Sequence, residues 1–188
     1  MTLLVAVFGR KKAGKTRTIE MLVHSLRREG VRVGVAKHVH HPDFTIDTRG
    51  KDSWRFTEAG AQAVYIISPN EWAVIHKAPT DYSEAGLLKL LSATDVDVLF
   101  MEGFYDALSK SRRVVKLVVG RDSGEVSSLL AGCEDPILGC VIASDVVDPD
   151  LSKNVKTYRI DDGFDRLVDD LKLLLRQHRD MQQEVGLG

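Results

Sequence analysis

The run Gly9-Arg10-Lys11-Lys12-Ala13-Gly14-Lys15-Thr16 fits the spacing G-x-x-x-x-G-K-[ST] of a phosphate-binding P-loop. The glycines let the backbone wrap an anion with successive N–H groups turned inward, and the N-terminus of a following helix adds the positive end of its dipole. Lys15 contributes a compact positive charge, and Thr16 a hydroxyl suited to Mg2+. A nucleoside triphosphate is therefore the first ligand the sequence predicts, held by Gly9, Arg10, Lys11, Lys12, Ala13, Gly14, Lys15, Thr16 and Arg17. The basic residues of this run stand out against a formal net charge of −1 for the whole chain. The positive charge is thus local, matched to phosphates rather than to a broad nucleic-acid surface.

Mg2+ at a P-loop takes a second, acidic anchor at the end of a neighbouring hydrophobic strand. Glu102 fits, because it follows the apolar run Val98-Leu99-Phe100-Met101 and precedes Gly103, which frees the backbone to approach a terminal phosphate. Asp97 is the weaker choice, standing near the start of that run. Asp47, on the long polar connection over 38–50, is a further expected metal ligand when that loop closes over the nucleotide. For Asp52 the same role competes evenly with capping a helix that starts at Gly50-Lys51-Asp52-Ser53. His38, His40 and His41 have no nearby cysteine and no H-E-x-x-H helix, so loop contacts or solvation explain them better than a metal centre. Lys37 suits either a phosphate contact or a solvent-seeking side chain. No N-K-x-D motif is present, yet Ala143-Ser144-Asp145 follows an apolar strand and places Asp145 where a carboxylate could read the donors of guanine; an ordinary turn is the alternative.

Positioning these residues takes a strand before the P-loop and a helix after it, and the chain supplies both. Hydrophobic patterning predicts a strand over 3–8, a helix over 17–29 stopped by Gly30, and a strand over 31–37. A helix over 51–59 precedes strands over 63–68 and 72–77, which Pro69-Asn70-Glu71 joins as a hairpin. Then come a helix over 84–93, strands over 96–101, 114–119, 137–143 and 155–159, and a helix over 164–182 with Leu167, Leu171, Leu174 and Leu175 on one stripe. Alternating strands and helices predict an α/β fold: a doubly wound, mostly parallel P-loop NTPase sheet with an added β-hairpin. Ligands of such sheets gather beyond the carboxyl ends of the strands, where Thr16, Glu102 and the long loop all fall.

At 188 residues and 44% hydrophobic content the chain suits a single P-loop nucleotide-binding domain over 1–188. Two cysteines, Cys133 and Cys140, are too few for a disulfide scaffold or for a zinc site built from four thiolates. The N-terminus lacks the charged and apolar regions of a secretory signal, and no run approaches a membrane span. A cytoplasmic location with free thiols is the expectation.

Several segments together resemble the molybdopterin-guanine dinucleotide biosynthesis adaptor family, MobB. They are the P-loop, Lys37-His38 with His41, Asp47, Gly50-Lys51-Asp52-Ser53-Trp54-Arg55 with Ala59-Gly60-Ala61, and Glu102-Gly103-Phe104 at the end of a hydrophobic strand. The resemblance implies a GTP-binding homodimer that uses Mg2+ and assists a molybdenum cofactor guanylyltransferase, MobA-like, in attaching GMP to molybdopterin. It also places Gly9, Gly14, Lys15 and Thr16 on phosphates and Mg2+, and Glu102 near the metal. Two features depart from the family pattern, and a third differs from a related class. Tyr105 stands where a lysine often follows Glu-Gly-Phe, Lys11-Lys12-Ala13 replaces small residues, and Arg10 occupies the place of the signature lysine of related dimeric P-loop proteins.

The residues offer no securely placed base for water, so the sequence predicts at most slow intrinsic GTPase activity. Its alternative is a P-loop small-molecule kinase that uses Asp47 or Asp52 as base and Arg112-Arg113 as a lid.

Overall fold

Along strand β1 (Leu3–Phe8), Leu3, Val5 and Val7 alternate with Ala6 and Phe8, and both sets are buried. A strand with two apolar faces belongs in the middle of a sheet covered on both sides, and that is where β1 lies. The computed structural model describes residues 2–41, 43–143, 151, 154–161 and 163–185. These divide into two compact units, Met1–His38 with Ser83–Gly188, and Val39–Tyr82, and each is described by itself.

In the larger unit β1 is joined by β2 (Val33–Lys37), and further strands follow at β5 (Val98–Glu102), β6 (Val115–Gly120), β7 (Ile137–Ile142) and β8 (Thr157–Arg159). They form one six-stranded sheet of order β2-β5-β1-β6-β7-β8, parallel at every pairing. Helices α1 (Lys15–Arg28) and α6 (Phe164–Val185) cover one face. Ile19, Leu22 and Leu26 of α1 and Leu167, Leu171 and Leu175 of α6 pack there against Val5, Val7, Phe100 and Leu117, at the i, i+3, i+4 and i+7 spacings of one helix stripe. On the other face, α3 (Glu84–Leu91), α4 (Tyr105–Leu108) and α5 (Ser123–Leu130) bring Leu87, Leu88, Leu108 and Val126 against Ala6, Phe8, Met101 and Val118. Each fully buried leucine contributes about 2 kcal/mol through lost contact with water.

The smaller unit holds α2 (Asp52–Glu58) and the antiparallel pair β3 (Ala63–Ile67) and β4 (Trp72–His76), which form a separate two-stranded sheet. Val64 and Ile75 pair across this hairpin and are both buried. Tyr65 pairs with Val74 and Ile67 with Trp72 on the opposite pleat, and these four stay exposed, Ile67 at 78% and Trp72 at 71%.

The expected elements form with ends shifted by up to three residues, while α4 and α5 are additions that the hydrophobic pattern did not announce. For α5 the missed signal is a cap: the Asp122 carboxylate accepts the Glu125 N–H at 2.9 Å, the first half of a capping box. Arg112 and Arg113 precede β6, whose first residue, Val115, pairs with Val5 early in β1. The P-loop leaves the far end of β1, so these arginines sit at the wrong end of the sheet to form a lid. Tyr105, in place of the family lysine, packs edge-on against Phe8 at 5.0 Å and donates to the Leu129 carbonyl at 2.7 Å, joining α4 to α5.

At that far end from the P-loop, Asp97 fastens three elements. Its carboxylate accepts the Arg32 N–H at 2.8 Å before β2 and pairs with the Arg32 guanidinium at 3.3 Å and with Arg179 of α6 at 3.1 Å. Burial alone would raise its pKa, but the Arg32 backbone and side-chain hydrogen bonds outweigh it and hold the carboxyl below its ordinary value. With the folded pKa depressed, the stabilisation is complete above the ordinary carboxylate range and is lost as pH falls through the folded value. Asp97→Asn is expected to cost about 1–2 kcal/mol in denaturant unfolding at pH 7, with the gap narrowing toward about pH 3. Equal stability of the two proteins at pH 7 would contradict this.

Candidate functional site

The parallel register sets the site. Val7 of β1 stands opposite Glu102 of β5, and Lys37 of β2 stands opposite the same Glu102. Three strands therefore end level, and the P-loop leaves β1 at that level.

Gly9, the first loop residue, lies against the neighbouring strand: a Cβ built on it would fall 2.3 Å from the Val119 carbonyl oxygen of β6. No side chain fits there without moving backbone. The loop then turns through two left-handed residues, Lys12 at φ 66° and Gly14 at φ 99°. Gly14 is the N-cap of α1, and the helix start has neither a side-chain cap nor an acid in its first turn. Its first N–H groups and the positive end of its dipole are left for an outside anion. The other long helices of this unit with described caps are closed differently, α3 by Ser83 and α5 by Asp122.

Lys15 folds back over the loop, its ammonium donating to the carbonyls of Gly9 at 2.9 Å and Arg10 at 3.0 Å. The Thr16 hydroxyl lies 3.1 and 3.2 Å from the two carboxylate oxygens of Glu102 and donates toward them. Glu102 is 13% exposed and faces the Lys37 ammonium at 3.7 Å. Lys37 thus pairs with the carboxylate rather than standing alone in solvent. Arg10, Lys11, Lys12 and Arg17 are exposed around the loop, and Ala13 is buried beneath it.

The chemistry of this donor set suits Mg2+: a hard cation takes oxygen ligands, and a hydroxyl and a carboxylate already share one point in space. Among the described residues no group of three or more His, Cys, Asp or Glu side chains could hold a metal by itself. Thr16 and Glu102 would therefore hold Mg2+ together with phosphate oxygens and water, as at other P-loops.

After Glu102 the chain turns sharply through Gly103 at φ 94° and Phe104 at φ 64°. A left-handed phenylalanine stores strain of roughly 1–3 kcal/mol, and such residues gather at functional sites. The stack of His38 on Phe104, with ring centres 4.9 Å apart, and the packing of Phe104 into the core keep it there. His38 also donates its backbone N–H to the Glu102 carbonyl at 3.0 Å, so its role here is to brace the end of β5.

Asp47 and Asp52 belong to the smaller unit. Asp47 accepts from the Ser53 hydroxyl at 2.7 Å and the Thr48 N–H at 2.8 Å, tying the long loop to the start of α2. Asp52 is the first residue of that helix, where an acid favours the dipole, and pairs with Arg55 at 3.6 Å; no side-chain hydrogen bond caps this helix start. Asp145 lies outside the described residues. Arg121 and Glu125, which follow β6, were not singled out from the sequence; the Asp122-x-x-Glu125 spacing was a signal for Glu125, and none marked Arg121. Cys133 and Cys140 are free, and burial pushes both thiols up from their ordinary pKa. Among the described residues no helix is long and apolar enough to cross a membrane.

A family model described as "Molybdopterin guanine dinucleotide synthesis protein B", MobB, matches residues 4–144. A molybdopterin-guanine dinucleotide biosynthesis adapter protein of Haemophilus influenzae is 36% identical over 101 residues, 54% of this chain and 56% of that protein. Its Escherichia coli counterpart is 34% identical over 122 residues, 63% of this chain and 66% of that protein. The aligned stretches thus span under two thirds of these relatives' own lengths. A crystal structure of molybdopterin-guanine biosynthesis protein B superposes with a TM-score of 0.67 at 26% identity, covering 93% of this chain and 99% of that one. Bacillus subtilis MobB shares the fold, with a TM-score of 0.68 at 21% identity over 89% of this chain and 97% of that one. With a P-loop, a level carboxylate at the end of β5 and a family match across three quarters of its length, the chain belongs to the MobB family.

Proposed function

We propose that this protein binds Mg2+·GTP at the P-loop and acts as an adaptor in molybdopterin guanine dinucleotide synthesis, assisting a MobA-like guanylyltransferase. The observation that carries the reading is the meeting of Thr16 and Glu102 at the open, uncapped start of α1. Gly9, Arg10, Lys11, Lys12, Ala13, Gly14, Lys15, Thr16 and Arg17 cradle the phosphates, and Lys15 exchanges its two loop carbonyls for phosphate oxygens. Thr16 and Glu102 hold Mg2+. Asp145 reads the guanine base. When bound, Mg2+ neutralises phosphate charge. Intrinsic hydrolysis is slow, because the loop residues themselves offer no securely placed base for water.

Membership of the MobB family favours the adaptor over a small-molecule kinase. It leaves phosphate transfer to an acceptor without support, and Arg112-Arg113 lies at the far end of the sheet. The working form is a homodimer. The exposed apolar pleat of Tyr65, Ile67, Trp72 and Val74 supports a partner on the hairpin, since a stripe this apolar is rare on a monomer.

Equilibrium binding tests the nucleotide reading. Wild type is expected to prefer GTP to ATP only with Mg2+ present, and Lys15→Ala to weaken GTP at least about tenfold, the loss of one charge-assisted contact. Equal binding of both nucleotides, or an unaffected Lys15→Ala, would overturn it. Sedimentation tests the assembly: dimer at micromolar concentration for wild type, and monomer for Ile67→Asp with Trp72→Asp. A wild-type monomer would contradict the dimer.

A further inference from the structure

Beyond Gly9 the P-loop has a second neighbour, the end of β6. The register pairs Phe8 with Val118, so Gly9 lies beside Val119, and the backbone contact described above joins them. Gly14, at the other end of the loop, also faces Val119, with its built Cβ 3.9 Å from a Val119 methyl. Arg121, two residues past Val119, therefore leaves the sheet at the same end as the loop.

Its side chain is held in an unusual way. Glu125, on the first turn of α5, is buried, its side chain 4% exposed. One carboxylate oxygen accepts both the Arg121 backbone N–H and the guanidinium Nε–H, each at 3.0 Å. In an ordinary capping box the glutamate would take the N–H of the cap residue, Asp122; here it takes the arginine before it and fixes that side chain too. The other oxygen, Oε1, is buried and has no hydrogen-bond partner among the described residues. A buried carboxylate left half unsatisfied is costly. Burial would raise its pKa, but the Arg121 hydrogen bonds outweigh that, and Arg10 of the P-loop adds to the same field. With Nε engaged, the guanidinium plane is set while the side chain remains 61% exposed, which leaves the rest of the guanidinium free for an anion at the loop's end of the sheet. Such a fork matches phosphate oxygens.

We propose that Arg121, oriented by Glu125, is a phosphate-contacting residue for the nucleotide on the β6 side of the P-loop, with Glu125 its positioning residue. The proposal rests on the nucleotide reading of the P-loop above. Neither residue belongs to the motif, and the pair gives the loop a cation held in place independently of Lys15.

Calorimetric titration of the whole protein with Mg2+·GTP tests it, using wild type, Arg121→Ala, Arg121→Lys, Glu125→Gln and the double variant Arg121→Ala with Glu125→Gln. Arg121→Ala is expected to weaken GTP about tenfold, the loss of one charge-assisted contact. Arg121→Lys recovers part of that, because charge remains and the fork does not. Glu125→Gln is expected to weaken GTP about threefold, and to add nothing further in the Arg121→Ala background, since it acts only through the arginine. Thermal unfolding of each variant separates this from a structural role, which would lower stability without touching affinity. Arg121→Ala within twofold of wild type, or an undiminished Glu125→Gln effect in the double variant, overturns the proposal alone. A wild type that fails to bind GTP at all overturns the nucleotide reading and this inference with it.

Discussion

The parallel register of β1 with β5 is the constraint on which the site depends. Because Val7 stands opposite Glu102, and β1 passes directly into the P-loop, the Thr16 hydroxyl one turn along the path reaches a carboxylate from a strand far away in sequence. A slip of one residue would turn the Glu102 side chain to the other face of the sheet, since strand side chains alternate. The register is kept by the core itself. Val5, Val7 and Phe100 pack against α1 and α6 on one face, while Ala6, Phe8 and Met101 pack against α3, α4 and α5 on the other. Apolar burial on two faces thus fixes the position of two oxygen donors at an edge.

Electrostatics at this end of the sheet pairs Lys15, Thr16, Glu102 and Lys37 with one another or with the loop backbone. Lys15 rests on the Gly9 and Arg10 carbonyls, and Glu102 lies between Thr16 and Lys37. Binding an anion and a cation together then exchanges weak internal contacts for stronger charge-assisted ones, at little cost in ordering side chains that are already placed. The strained turn at Gly103 and Phe104 serves the same placement: the backbone passes through two left-handed residues as β5 stops at Glu102, and the His38 ring stacks on Phe104.

Much of this was legible in the sequence, for identifiable reasons. The P-loop spacing is rigid because backbone N–H geometry leaves few alternatives, and an apolar run ending in Glu102-Gly103 marks both a buried strand and its carboxyl end. Long periodic elements such as α1 and α6 followed from their leucine stripes. Short α4 and α5 did not, because four or eight residues give too little periodicity and their starts depend on local caps, Phe104 and Asp122. Arg121 was hidden for a different reason. Its importance comes from the approach of Gly9 to Val119 between two neighbouring strands, a contact no spacing rule encodes. Asp52 resolved toward a helix start, the more ordinary of its two readings, while the exposed hairpin pleat showed itself only once strand pairing assigned the four apolar side chains to one face.

The central claim is that Thr16 and Glu102 together complete a Mg2+ site on the phosphates of a bound nucleotide. Its most direct test is the Mg2+ dependence of GTP affinity in Glu102→Gln, which keeps the shape of the side chain and removes its charge. Wild type is expected to gain about tenfold or more in affinity on adding Mg2+, and Glu102→Gln to lose most of that gain while binding metal-free GTP as well as wild type or better. An undiminished Mg2+ gain in the variant would contradict it.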